Sequence, residues 1–479
     1  MDKKFQTQKI AGFCLNKKFG DIQLSTVDQL KRHLLDSLGS FLYATTGLSI
    51  HKIVRQLKQI GEGGFCKAPY FERLPLDRTA QFYTALIRYP DFMDNYMGKE
   101  ATCHPSDNIG GLLAACWSRP ISGKEFLTAM GVAYQLECRL VEEIPVMIEG
   151  IDHTLLLGLS LTGGLARLMN LSAEQTTHAL GICGTSISPA VTSRASYTPE
   201  WKGFASSLDA LNCVNIVLLA KEGVTGPVAL FEGPKGFKEV FDMKLDYDWS
   251  KETFDLIPRC VLKQYNAEVH SQSVLEGIIE LKRAHQFSTD DIQEVNITTF
   301  LTAYHIIGSG AYGDRQEVYT KEQADHSLFY LAAVALIDGD VYPGQFEPDR
   351  IQKPDVQELL KKVSVRTGFP LHKPTKIAGI LDPYTEAYPE KMKAKIEIRL
   401  HNGDIFKSEK EDYHGFHTRP FTWGDTIEKF YRLVDGKTEP GTAKKIIEIV
   451  KSLDEVPDML LLNNLLCQIS ESNNQSTRV

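Results

Sequence analysis

Apolar positions recur at helical spacing through most of the first 260 residues. Leu30, Leu34, Leu35, Leu38 and Leu42 mark one face of a helix over residues 27–45, with Ser25 and Thr26 as candidate caps. Ser122 followed by Glu125 is a capping box, in which hydroxyl and carboxylate exchange hydrogen bonds with each other's backbone. It predicts a helix running to about Glu143. Thr154–Leu168 is apolar nearly all round and rich in glycine, the mark of a buried, closely packed helix. A second capping box, Ser172 with Gln175, opens the next helix, and Ala205–Glu222 is another, stopped by Gly223 and Gly226-Pro227.

The pattern changes near residue 260. Glu294–Phe300 and Val363–Arg366 read as short strands. Ala394–Leu400, Asn402-Gly403 and Ile405–Lys407 read as a hairpin, because Asn-Gly suits the turn that matches strand twist. Helices are predicted at about 273–286 and 324–338, and helical spacing returns from Trp423. The fold class expected is mainly α. A large all-helical domain comes from both chain ends (1–257 and 412–469), with a smaller inserted α+β lid domain (258–411) and a polar, disordered tail at 470–479.

A chain of 479 residues exceeds the size at which one core keeps growing, which agrees with two domains. Its 43% hydrophobic and 24% charged residues are ordinary for a globular protein. A net charge of -8 argues against a nucleic-acid or anionic-membrane surface, since both need concentrated basic charge. No stretch approaches the roughly 20 apolar residues of a membrane helix. MDKKFQTQKI lacks the apolar run of a signal peptide, so a cytoplasmic protein is expected. The nine cysteines, at 14, 66, 103, 116, 138, 183, 213, 260 and 467, are too scattered for a zinc knuckle or an iron–sulfur run. They are expected to be small core residues, and neither cofactor nor metal is called for.

The richest polar segment is Asp91-Phe-Met-Asp-Asn-Tyr followed by Thr102-Cys-His-Pro-Ser-Asp-Asn-Ile-Gly-Gly111. Acids, a histidine, hydroxyls, an amide and paired glycines fall together without a helical or strand period, as where a scaffold presents functional groups. By spacing alone it reads rather as a surface loop whose Asp, Asn and Ser cap a helix beginning near Asn108. Gly110 and Gly111 do not make a phosphate loop, because no GxxxxGK[ST] or strand-anchored GxGxxG accompanies them. Elsewhere, His270 with Ser271 and Gln272 either lines a site or caps a helix. Asp325-His326-Ser327 reads as the N-cap of a buried helix, 327–338. His414 and His417 read as structural.

DFMDNY, HPSDNIGG, the DHSLFYLAAVALIDG stretch ending at Gly339 and YHGFHTRP at 413–420 resemble, in order, the hallmark stretches of the MmgE/PrpD family. The likeness runs from about Leu30 to about Leu433. It implies an all-helical domain with a smaller α+β lid, an active site between them, and a homodimer. The family dehydrates 2-methylcitrate, decarboxylates cis-aconitate or epimerises iminodisuccinate. The resemblance places catalytic roles on His104, His153, Asp91 and Lys202, the last in EWKG. It places substrate contacts on Asn95, Lys263 in LKQYNAE, Glu268, His270 and Tyr304. Three departures bear on substrate. There is one extra residue between Asp91 and His104, MGKEATC stands where tryptophan is usual, and Glu268 stands where the decarboxylase branch has histidine.

These residue types suit removal of a proton beside a carboxylate, which builds negative charge and needs a base together with cations already in place. Histidines trade protons near neutral pH, lysines supply fixed positive charge, and Asp91 can orient a histidine. The expectation is a metal-independent hydro-lyase of the 2-methylcitrate dehydratase type acting on a small polycarboxylate. The alternatives are a decarboxylase, an isomerase or epimerase of the same family, and a catalytically silent carboxylate-binding homologue.

Overall fold

A computed structural model describes residues 4–98, 101–195, 197–369 and 381–468. The chain forms two compact units: Met1–Val191 with Gly203–Cys260 and Thr422–Val479, and Thr192–Lys202 with Val261–Phe421. The architecture is mainly α, as the periodicity implies. The tail 470–479 lies outside the described residues.

The first unit is a stack of helices: α1 (Gln6–Asn16), α2 (Leu24–Ala44), α3 (Leu48–Ile60), α4 (Leu76–Arg88), α5 (Asp107–Ala115), α6 (Gly123–Glu143), α7 (Thr154–Leu168), α8 (Ala173–Ser186) and α9 (Ala205–Lys221). Helices Trp423–Val434, Pro440–Lys451 and Leu460–Leu466 complete it from the far end of the chain. Two small antiparallel ladders interrupt the stack: β1 (Cys66–Ala68) with β2 (Phe71–Leu74), and β3 (Tyr96–Met97) with β4 (Thr102–Cys103). Both capping boxes form, Ser122 accepting from the Glu125 N–H and Ser172 from the Gln175 N–H. α2 begins earlier than its leucine spacing suggests. Ser25 and Thr26 therefore lie inside its first turn instead of capping it. α7 is the centre of the core, every residue but Arg167 being buried.

Two glycines set how closely the helices around α5 approach. A Cβ on Gly110 would fall 2.4 Å from the Thr84 backbone nitrogen on α4, and one on Gly111 2.9 Å from Leu161 on α7. The paired glycines thus allow α5 to lie against two neighbours at once. That brings the end of α4 and the starts of α5 and α7 to one place.

The second unit holds a four-stranded sheet of β5 (Ile292–Thr299), β6 (Val363–Thr367), β7 (Ala394–Leu400) and β8 (Ile405–Lys410), in the order β6-β5-β7-β8. β5 and β6 are parallel, and the other pairs antiparallel. β7 alternates as a half-buried strand must, with Ala394, Ile396, Ile398 and Leu400 inward. Gly403, at φ 93°, makes the predicted hairpin turn. The helix Gln272–His285 covers the buried face, and Gly277 sits where a Cβ would meet Ile396 at 2.8 Å. The helix predicted over 324–338 is two helices, Lys321–Ala324 and Leu328–Asp338. The Ser327 hydroxyl accepts the Tyr330 N–H and starts the second, leaving Asp325 and His326 in the break.

Among the described residues no helix is long and apolar enough to cross a membrane. All nine cysteines are free thiols, eight of them buried and Cys467 partly so.

Candidate active site

In the first unit the polar segment folds back on the end of α4. Asp91 adopts a left-handed backbone, φ 56°, which aspartate tolerates better than most residues. The turn returns its carboxylate to the Arg88 guanidinium, Nη1 to Oδ1 2.9 Å, with both side chains buried. Arg88 also faces Asp107, Nε to Oδ2 3.4 Å. Burial disfavours the charge on Arg88, but Asp91, Asp107 and the more distant Asp152 outweigh it and hold the guanidinium firmly protonated.

His104 leaves β4 and enters the turn before α5. Its Nδ1 lies 3.0 Å from the Asp94 carbonyl and 3.0 Å from the Asn95 amide nitrogen, and its Nε2 lies 3.3 Å from Arg88 Nη2. The Asp94 carboxylate clamps the segment at both ends, accepting the Ser106 N–H at 2.9 Å and meeting His33 Nδ1 at 2.7 Å. Burial pushes that carboxyl up, but the hydrogen bonds and charge of His33, with Ser106, hold it below its ordinary range. His153 caps the start of α7, its ring 5.3 Å from that of His104 and its Nε2 3.7 Å from Asp152 Oδ1. Of the expected site residues, Asp91, Asn95, His104 and His153 therefore share one buried cluster in this unit.

The second unit holds another. Glu268 caps the turn Val269–Ser271, accepting the His270 N–H at 2.8 Å. Its Oε1 lies 2.7 Å from His270 Nδ1, and His270 Nε2 lies 3.0 Å from the Tyr388 hydroxyl. The backbone N–H of Glu268 donates to the Asp325 carbonyl at 2.9 Å, joining this turn to the break that carries His326. There Asp325 Oδ1 meets His326 Nδ1 at 2.6 Å, and Lys202 Nζ approaches the same ring nitrogen at 3.3 Å. Burial opposes both carboxylates, yet Glu268 stays below its ordinary range and Asp325 well below. His270, His326 and Lys263 hold Glu268, while Lys321, Lys202 and His326 hold Asp325. Arg315 is buried as well, donating to Thr198 Oγ1 at 3.0 Å and the Arg194 carbonyl at 3.2 Å. Lys202, Lys263 and Arg315 are buried in the same unit as these carboxylates.

Tyr304 lies half-buried on the helix Leu301–Ile307, its ring 6.0 Å from that of His305. Sequence reasoning missed Arg88, Asp152 and Arg315, took Asp94 only as part of the polar segment, and read His326 as part of a cap with a hinge or pocket role as the alternative. The available signals were an arginine ending the apolar run of α4 and acids placed one or two residues before a histidine.

Residues 8–250 match the MmgE/PrpD N-terminal domain and residues 265–455 the MmgE/PrpD C-terminal domain. The chain is 27% identical to the 2-methylcitrate dehydratase of Escherichia coli (strain K12) over 297 residues, 58% of this chain and 60% of that protein. It is 27% identical to the mitochondrial 2-methylcitrate dehydratase of Yarrowia lipolytica over 387 residues, 76% of this chain and 71% of that protein. Against the cis-aconitate decarboxylase of Homo sapiens it is 23% identical over 485 residues, 96% of this chain and 94% of that protein.

Proposed function

The chain belongs to the MmgE/PrpD family, and on that premise we propose that it is a hydro-lyase acting on a small polycarboxylate of the 2-methylcitrate type. The observation that carries this reading is the buried pair His104 and His153, with rings 5.3 Å apart. Dehydration needs a base for the proton on the carbon beside a carboxylate and an acid for the departing hydroxyl. Two histidines in different settings can divide those tasks. One takes the C–H proton, charge develops on the neighbouring carboxylate, and the other gives a proton to the hydroxyl, which leaves as water with formation of the C=C bond. By the same family resemblance, Lys202 and Lys263 supply fixed positive charge for carboxylates of the substrate, and His270 and Asn95 supply polar contacts.

A second reading has one specific support: the human cis-aconitate decarboxylase is matched along 96% of the chain. In that reaction carbon dioxide leaves, the same carbanion-like intermediate forms, and a histidine returns a proton to carbon. The purified enzyme, followed by absorbance of the unsaturated acid over methylcitrate, citrate, cis-aconitate and iminodisuccinate, separates the two. Dehydration raises the absorbance from a saturated acid, and decarboxylation releases carbon dioxide from an unsaturated one. No turnover of any of them would leave a carboxylate-binding protein.

The finer features of the reading are metal independence, a cytoplasmic location and a homodimer. Rate retained after dialysis against a strong chelator tests the first. For the dimer, α9 exposes Leu208, Leu218 and Leu219, apolar surface suited to a second copy. Light scattering on the full chain measures its mass directly.

A further inference from the structure

We propose that Arg88 is a positioning residue, whose guanidinium selects the His104 tautomer with the proton on Nδ1 and the lone pair on Nε2. The inference rests on the reading of His104 as a proton-transfer group. Arginine offers only donors, so a ring nitrogen 3.3 Å from Nη2 is favoured as an acceptor. The other ring nitrogen has two possible partners at 3.0 Å, the Asp94 carbonyl, which can only accept, and the Asn95 amide nitrogen, which can only donate. With Nδ1–H the ring donates to Asp94 and accepts from Arg88, and only the contact with the Asn95 amide nitrogen sets donor against donor. With Nε2–H the ring accepts from Asn95 but turns a donor against a guanidinium. In the doubly protonated ring a positive charge faces a positive charge. Two of the three forms are thus penalised by one side chain.

Arg88 has no freedom to avoid this contact. Its side chain is 1% exposed, and its other nitrogens are held by Asp91 at 2.9 Å and Asp107 at 3.4 Å. The close approach of α5 to Thr84, which Gly110 permits, holds α4 and the start of α5 in register. Among the described residues of this unit, the ionisable groups around this loop include His33, Asp91, Asp94, Cys103, Asp107, Glu137, Asp152 and His153. The acids favour a proton on His104, and Arg88 and any charge on His153 oppose it. Removing Arg88 therefore shifts the balance toward the acids.

The test uses full-length Arg88→Gln and Arg88→Lys. In Arg88→Gln the limb of the kcat/KM–pH profile that belongs to His104 moves up by about 1 pH unit or more, and kcat falls at least about tenfold. In Arg88→Lys a single ammonium keeps the charge but does not span Asp91, Asp107 and His104. The limb stays near the parent's position while kcat still falls. Nitrogen-15 spectra of histidine-labelled parent protein, with the His104 signals identified by their loss in His104→Ala, read the tautomer without reference to activity. A protonated Nδ1 and an unprotonated Nε2 are expected. A proton on Nε2 in the parent, or an unmoved limb in a folded Arg88→Gln protein, overturns the inference. If Arg88→Gln does not fold, the parent spectrum and Arg88→Lys decide. If His104→Ala keeps full activity, the functional reading fails, and the spectrum still decides the tautomer.

Discussion

The ring of His104 stands 5.3 Å from the ring of His153, with the two planes at 63°. They come from the entrances of two helices, α5 and α7, held at that spacing where Gly111 meets Leu161. Two imidazolium charges at this distance repel each other in a buried setting, so the pair favours holding one added proton, not two. An acid and a base at the same pH are what a dehydration requires. The surroundings differ accordingly, since His104 faces a guanidinium and His153 lies beside Asp152.

Replacing His104 by alanine should lower kcat by at least about a hundredfold, within the usual range for a general acid or base. The ring is buried and bonded to Asp94, so melting should also fall, by a few degrees at most if the clamp from Asp94 to Ser106 and His33 survives. His417→Ala, on a partly exposed ring next to Phe416, should be nearly silent in turnover. Steady-state rates and thermal melts on the three proteins check this. Normal turnover by His104→Ala would move the assignment to His153.

What was legible in the sequence was what periodicity and capping encode. Both capping boxes, the apolar helix Thr154–Leu168 and the Asn-Gly hairpin follow from local rules, and each appears within a few residues of its expected place. The start of α2 was missed because Ser25 and Thr26 looked like caps, while the helix begins at Leu24 without a side-chain cap. The start of the helix Leu328–Asp338 was legible in Asp325-His326-Ser327, whose Ser327 is its N-cap, while the short helix Lys321–Ala324 before it was not separated from it. Arg88 was illegible for a different reason. Its meaning depends on residues 3, 16 and 19 positions further along the chain (Asp91, His104 and Asp107), and only the fold brings these to one guanidinium.

Gly110→Ala should be costly although it adds one methyl group. The new carbon would lie 2.4 Å from a backbone nitrogen of α4, and backbone cannot swing aside as a flexible side chain does. Overpacking of this kind typically costs about 1–3 kcal/mol. Because α4 and α5 carry Arg88 and Asp107, the displacement should lower kcat as well as the melting temperature. Gly441→Ala, with open space around it, is the control for both readings.

The buried Glu137 on α6 makes stability depend on pH. Burial, reinforced by the charge of Asp107, pushes its carboxyl up from 4.5 to about 8, against the hydrogen bond donated by Asn108 at 2.7 Å. A folded-state value above the unfolded one means that the folded protein holds the proton more tightly. The stabilisation is then complete below about 4.5, declines as pH rises, and is gone once pH passes about 8. Glu137→Gln, which keeps the neutral shape and the acceptor for Asn108, should escape that decline. Its melting temperature relative to the parent should climb between pH 5 and pH 8 and level off above, at about 2–4 °C per kcal/mol. A constant gap across melts at pH 5, 7 and 9 would show that the carboxyl does not titrate in this window.

Lys202 separates binding from chemistry. Its ammonium is buried, lies 3.3 Å from His326 Nδ1 and helps to hold Asp325 ionised. Under the proposed reading it also meets a carboxylate of the substrate, so its removal should weaken both the ground state and the transition state. Lys202→Met should therefore raise KM by at least about tenfold, since a charge-assisted hydrogen bond contributes about 1.5–3 kcal/mol. The fall in kcat should be smaller than that caused by losing His104. Lys202→Arg keeps the charge and should recover part of the KM, with the bulkier guanidinium limiting the recovery. The two effects of losing the ammonium are separable by pH. If Lys202 acted only by holding Asp325, the defect of Lys202→Met would grow as pH falls toward the ordinary carboxylate range and fade at neutral pH, where Lys321 and His326 still hold Asp325 ionised. A KM defect that persists unchanged from pH 6 to pH 8 is the expected result, and it identifies a lost contact with the substrate.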